Sequence, residues 1–78
     1  MTDRELIEGC IRGDRNCQRA LFEKFAGKMK VVCMRYVNNH DDAEDVLQEG
    51  FIKVFNYIAK FSFEGSFEGW IRKIMVNA

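Results

Sequence analysis

The stretch DDAEDVLQEGFIKVF, residues Asp41 to Phe55, decides the fold. At helical spacing Ala43, Val46, Leu47, Gly50, Phe51 and Val54, with Ile58 just beyond, make one continuous apolar stripe, which calls for a helix with one buried face. The opposite side carries Asp45, Gln48, Glu49 and Ile52, whose offsets of three, four and seven residues set them in one row. A branched aliphatic among acids, on a helix whose core face is already complete, needs an explanation.

Upstream, NNH at residues 38–40 breaks the helical pattern. Asp41 or Asp42 is the expected cap of the central helix, and Asp42, Glu44 and Asp45 complement the positive end of its dipole. The pattern carries that helix to about Lys60. Before the break, a long helix is predicted from about Arg15 to about Val37, with Leu21, Phe22, Phe25, Met29, Val32, Cys33 and Tyr36 as its apolar stripe. A short first helix opens on the capping box Thr2-x-x-Glu5 and turns Leu6, Ile7, Cys10 and Ile11 inward; Gly13-Asp14 separates the two. Downstream, FSFEGSF at residues 61–67 is turn chemistry, and Ser66 is the expected cap of a last helix with Phe67, Trp70, Ile71, Ile74 and Met75 inward. With no proline and no useful strand alternation, the chain reads as an all-α, compact bundle of about four helices.

Size and composition bound what such a bundle can be. Its 78 residues, 47% hydrophobic and 13% aromatic, suffice for one small core. Cys10, Cys17 and Cys33 are odd in number and include no C-x-x-C pair, and His40 is the only histidine. Buried, reduced thiols in a cytoplasmic chain are therefore expected, with no metal site and no cofactor. No apolar run approaches the roughly 18 residues of a membrane span, and the polar, acidic MTDRELIEG start is unlike a secretory signal. The pattern stops mid-helix at Asn77-Ala78, as expected of a domain from a longer protein.

Formal net charge is zero, yet the charges are segregated: residues 1–40 hold eight basic and five acidic groups, residues 41–55 one basic and five acidic. An acidic helix between mildly basic segments can meet a basic protein on one surface and phosphate on another. Catalysis is not expected: the chain offers one loop histidine, no Gly-rich phosphate loop, and acids clustered on one exposed helix face. A single exposed aliphatic is ordinary, but Ile52 ringed by an amide and two acids has the makings of a small apolar contact with a polar rim. Tyr57, Phe61, Phe63, Phe67 and Trp70 fall within fourteen residues, beside Arg72, Lys73 and Asn77. Phe67 and Trp70 read as core, while aromatics beside cations and an amide are also the equipment of single-strand binding.

GDRNCQRALFEKF, DDAEDVLQEGFIKVF and FSFEGSFEGWIRKIMVNA, in this order, resemble conserved region two of bacterial sigma factors, in the extracytoplasmic-function (ECF) group of the sigma-70 family. The signature is D-A-E-D-x-x-Q-E followed by F-x-x-W-x-x-x-I. The resemblance implies a helical domain that binds the beta-prime clamp helices of core RNA polymerase and helps recognise and melt the minus-ten promoter element. It assigns Asp45, Gln48, Glu49 and Ile52 to the polymerase-docking row, so that Ile52 is outside because a partner covers it. It implies capture of a flipped non-template base at Tyr57, Phe61, Ile74 and Asn77, with Ser62, Phe63, Glu64, Gly65 and Ser66 as the specificity loop and Arg72 and Lys73 near phosphates. An anti-sigma factor is a further partner that such proteins take; a membrane is not. The chain departs from the family in carrying Ser62 and Phe63 where a basic residue and a glycine are usual. It also lacks the carboxy-terminal helix-turn-helix region. The competing reading is a helical protein-interaction adaptor that uses the acidic face and never touches DNA.

Overall fold

The computed structural model describes residues 1–77. It contains α1 (Asp3–Ile11), α2 (Arg15–Met34), α3 (His40–Tyr57) continued by a 3₁₀ turn (Ile58–Lys60), and α4 (Phe67–Val76), with no strand among the described residues.

Side chains set the helix starts. Thr2 Oγ1 accepts from the Glu5 amide at 3.1 Å and Glu5 Oε1 accepts from the Thr2 amide at 2.9 Å, the reciprocal pair foreseen for α1. Asp14 caps α2 by accepting from the amides of Asn16 and Cys17 at 2.8 and 3.2 Å, and Gly13 before it takes a left-handed φ of 81° that a side chain would resist. Ser66 caps α4, accepting from the Gly69 amide at 3.0 Å.

The cap of α3 is Asn39, not Asp41 or Asp42. Asn39 is extended (φ −146°, ψ 165°) and its Oδ1 accepts from the Asp42 amide at 2.8 Å, while its Nδ2 donates to Asp42 Oδ2 at 3.1 Å. The two aspartates sit inside the first turn, where the dipole favours them. Two further boundaries differ from expectation. α2 ends at Met34 because the chain leaves the helix before Asn38 and Asn39, which leaves Tyr36 exposed rather than in the stripe. α3 tightens to 3₁₀ at Ile58, which keeps Ile58 buried while the Phe61 amide donates to its carbonyl at 3.1 Å.

The core is built around α2, whose Cys17, Leu21, Phe25, Met29, Val32 and Cys33 meet Leu6, Ile7 and Cys10 of α1, Ala43, Leu47, Phe51 and Val54 of α3, and Phe67, Ile71 and Met75 of α4. Ile11 and Phe22, expected inside, lie at the margin; the Phe22 ring covers the buried Phe51 edge-on at 4.9 Å. An ion pair joins α2 to each neighbour: Lys24 with Asp3 of α1, Lys30 with Glu44 of α3 at 2.6 Å, and Lys28 with Glu68 of α4 at 3.1 Å. Each is exposed and contributes about 0.2 to 1 kcal/mol, so they orient the helices more than they hold them. All three cysteines are free and buried, and burial pushes the Cys10 thiol up to about 11. A neutral thiol of this kind packs as a small hydrophobe.

Candidate docking and nucleic-acid surfaces

α3 presents two opposed faces. Leu47, Phe51 and Val54 are in the core, and Asp45, Gln48, Glu49 and Ile52 are exposed, with Ile52 at 60% the most exposed branched aliphatic of the chain. The row is therefore laid out as its spacing demanded: two carboxylates and an amide around one apolar side chain, on a helix held from behind by the core and from the side by Lys30 and Glu44.

A second feature lies where α3 meets α4. Lys53 and Tyr57, one turn apart on α3, and Trp70, Lys73, Ile74 and Asn77, which share a face of α4, line an open cleft of about 380 Å³. Tyr57 is half exposed and Lys60 Nζ sits 5.5 Å from its ring centroid, while Trp70 and Ile74 are half buried, each with part of its surface in the core. Asn77 closes the end of α4; its amide donates to the Lys73 carbonyl at 3.1 Å. The cleft thus offers aromatic faces, two ammonium groups and an amide able to donate and accept. Those are the requirements for holding a flat heterocycle next to a phosphate.

Of the residues that sequence singled out for DNA, the structure brings Tyr57, Lys73, Ile74 and Asn77 together. Phe61 is not among them: it is buried, its ring packed against Phe67 and Trp70 at 5.1 and 5.5 Å, and it forms the floor beneath the loop. Arg72 is exposed and lines neither cleft. Sequence reasoning missed Lys53 and placed Trp70 wholly in the core. The four-residue step from Lys53 to Tyr57 was a usable signal for the first; half-burial of an indole shared between core and cleft leaves no mark in a periodic pattern.

The loop between Phe61 and Ser66 faces a different hollow. Phe63, Gly65 and Ser66 border a larger cleft of about 510 Å³ on the α1–α2 side, with Arg4, Lys24 and Lys28 around it and Phe25, Phe61 and Phe67 beneath. Lys24 and Lys28 are already paired with Asp3 and Glu68. Gly65 takes φ 74° and Phe63 takes φ 61°. A phenylalanine held in that region costs on the order of 1 to 3 kcal/mol.

The four-helix domain thus carries a polar row around one exposed aliphatic on α3 and an aromatic, cationic cleft where α3 meets α4. Residues 21–78 match the family model for sigma-70 region 2, and the chain belongs to that family. It is 35% identical over 77 residues to the ECF RNA polymerase sigma-E factor of Haemophilus influenzae, covering 99% of this chain and 40% of that protein. It is 32% identical over 75 residues to the RNA polymerase sigma-H factor of Pseudomonas aeruginosa, covering 96% of this chain and 39% of that one. The chain thus spans about two fifths of the length of the curated relatives it matches. Among solved structures it is similar to an engineered region 2 of sigmaE in complex with GTAAAA, with a TM-score of 0.89 and 32% identity over 99% of this chain and 80% of that chain.

Proposed function

We propose that the chain acts in transcription initiation, as the part of an ECF-type sigma factor that docks on core RNA polymerase through the outer row of α3 and captures a non-template base of the minus-ten element. The observation that carries this reading is the cleft in which Tyr57, Trp70, Lys53, Lys73 and Asn77 converge. Its work is capture, not covalent chemistry. Unstacking a base costs a few kcal/mol, which stacking on an aromatic, hydrogen bonds from Asn77 and contacts between lysines and phosphate offset. The similar sigmaE region in complex with GTAAAA supports DNA as the ligand class.

Docking is assigned to Asp45, Gln48, Glu49 and Ile52, whose chemistry complements a basic helical surface with a small apolar centre. The beta-prime clamp helices are the partner of that kind, and an anti-sigma factor would compete for the same row; both place the protein in the cytoplasm. Zero net charge favours an adaptor that never touches DNA, and one measurement separates the two. Titrated with single-stranded and duplex DNA of minus-ten sequence, the chain binds the single strand with a shallow salt dependence and the duplex hardly at all, since few phosphates are neutralised. Polymerase binding without any strand binding would favour the adaptor.

A further inference from the structure

Among the described residues Phe63 is the only non-glycine with a positive φ. In that conformation Cβ crowds the following carbonyl, and a bulky residue stays there only where its surroundings over-determine it. Two groups do so here. The Phe61 ring lies 5.2 Å away at 57°, and the Arg4 guanidinium carbon stands 4.2 Å from the ring centroid on α1, within the reach of a cation–π contact.

Arg4 makes that contact from a fixed platform. The capping box closes the start of α1, Leu6 and Ile7 anchor its inner face, and Asp3 beside it is paired with Lys24 of α2. Arg4 forms no ion pair among the described residues, so its charge is directed at the ring. From Phe63 the contacts continue to Phe61 and from there, at 5.5 Å, to Trp70, a wall of the base cleft. α1 lies before the residues matched by the family model, which begins at residue 21.

We propose that Arg4 is a positioning residue for base preference. By holding the Phe63 ring it locks the left-handed turn, fixes the backbone that carries Ser62 and Glu64, and braces the Trp70 wall through Phe61. A clamped aromatic thereby holds a left-handed turn in the loop, and the first helix takes part in reading DNA without touching it. This rests on the base-capture reading above.

The test uses the 78-residue chain on an immobilised array of all single-stranded DNA hexamers, with Arg4→Met, Phe63→Gly, the double variant and Asn77→Ala. Arg4→Met should weaken the best hexamers about two- to five-fold, the worth of one cation–π contact. The loss should be concentrated at one or two base positions, so that discrimination narrows there. The salt slope should not change, because no phosphate contact is removed. In the Phe63→Gly background Arg4→Met should have no further effect. Equal weakening of every hexamer with a salt slope smaller by about one would make Arg4 a phosphate contact and overturn the proposal, as would an unchanged base profile or an undiminished effect beside Gly. If Asn77→Ala flattens the profile and Arg4→Met does not, the clamp is wrong and base capture stands. If the unaltered chain binds no hexamer, both are wrong.

Discussion

The outer row of α3 and the cleft at its end differ in how they are built. The row needs one helix and a register: Asp45, Gln48, Glu49 and Ile52 are neighbours because of their spacing, and anything that keeps α3 helical keeps them together. The cleft needs a tertiary junction. Lys53 and Tyr57 come from one helix and Trp70, Lys73, Ile74 and Asn77 from another. α4 approaches α3 where Met75 lies against Gly50, and the aromatic cluster of Phe61, Phe67 and Trp70 beneath the loop holds the start of α4, with Phe67 and Trp70 stacked at 5.7 Å. A surface made by periodicity should tolerate local damage to packing, while a surface made by packing should not.

The largest effect is expected from Phe61→Ala. The ring is buried against three aromatics, and a Phe→Ala change in such a place costs about 3 to 5 kcal/mol. A domain of this size holds only about 0.05 to 0.15 kcal/mol per residue, so much of its stability is lost. At a temperature where the variant is still folded by circular dichroism, strand binding should fall at least ten-fold while polymerase pull-down stays near the original level. Equal loss of both would mean that the two surfaces are not separable in this way.

The converse break comes next. Glu49→Lys reverses a charge and Ile52→Asp replaces the apolar centre of the row; each removes an anchor of the type worth about 2 kcal/mol or more at an interface. Polymerase binding should drop some thirty-fold, with an unchanged thermal melt and unchanged single-strand binding by the isolated chain. Normal polymerase retention by both variants would remove the docking assignment.

This contrast also explains what was legible in the sequence. Four helices, the caps Thr2 and Ser66, and the outer row of α3 follow from spacing and cap chemistry and could be read directly, whereas Asp14 was legible only as part of the break between α1 and α2. Asn39 was displaced in the reading by two aspartates that suit the helix start just as well but sit one turn further in. In the cleft, Tyr57, Lys73 and Asn77 were legible as an aromatic beside a cation and an amide, Ile74 came from the resemblance alone, and Phe61 came with them although packing puts it in the floor. Lys53 stands four residues before Tyr57 but joins the cleft only when α3 and α4 are set side by side, and Arg4 becomes visible only when α1 is placed against the loop.

A smaller effect separates structure from reading within the cleft itself. Asn77→Ala deletes up to two hydrogen bonds to a held base, each worth about 0.5 to 1.5 kcal/mol. Asn77 is exposed and its role at the end of α4 is carried by its backbone amide, so the melt should barely move. Open-complex formation by a polymerase carrying a sigma factor that contains this region should fall several-fold, most for one base at one promoter position. Uniform loss over all four bases would assign Asn77 to supporting the helix.

The smallest effect is a pH dependence that belongs to the start of α1, on the side of the molecule where Arg4 meets the loop. Hydrogen bonds from the Thr2 backbone, then from its side chain, hold the Glu5 carboxyl below its ordinary value of 4.5. A carboxyl lowered in the folded state adds stability that is fully present above its unfolded pKa and is lost as pH falls through the lower folded one. The start of α1 should therefore be closed at neutral pH and should loosen as pH falls below the ordinary value of 4.5 and through the lower folded one. Glu5 is fully exposed, so the change is local rather than global. Amide protection at Thr2 and the neighbouring first turn, taken relative to the intrinsic exchange rate at each pH, should fall across this window, and in Glu5→Gln, which still accepts the hydrogen bond but cannot titrate, it should not. Because Arg4 stands in the same turn, the Phe63 ring signals should shift with it, whereas signals of Gln48 and Ile52 should not follow this transition. Parallel movement of the α3 row would show that acid loosens the bundle as a whole, and the separation between a surface made by register and one made by packing would then fail at its most sensitive point.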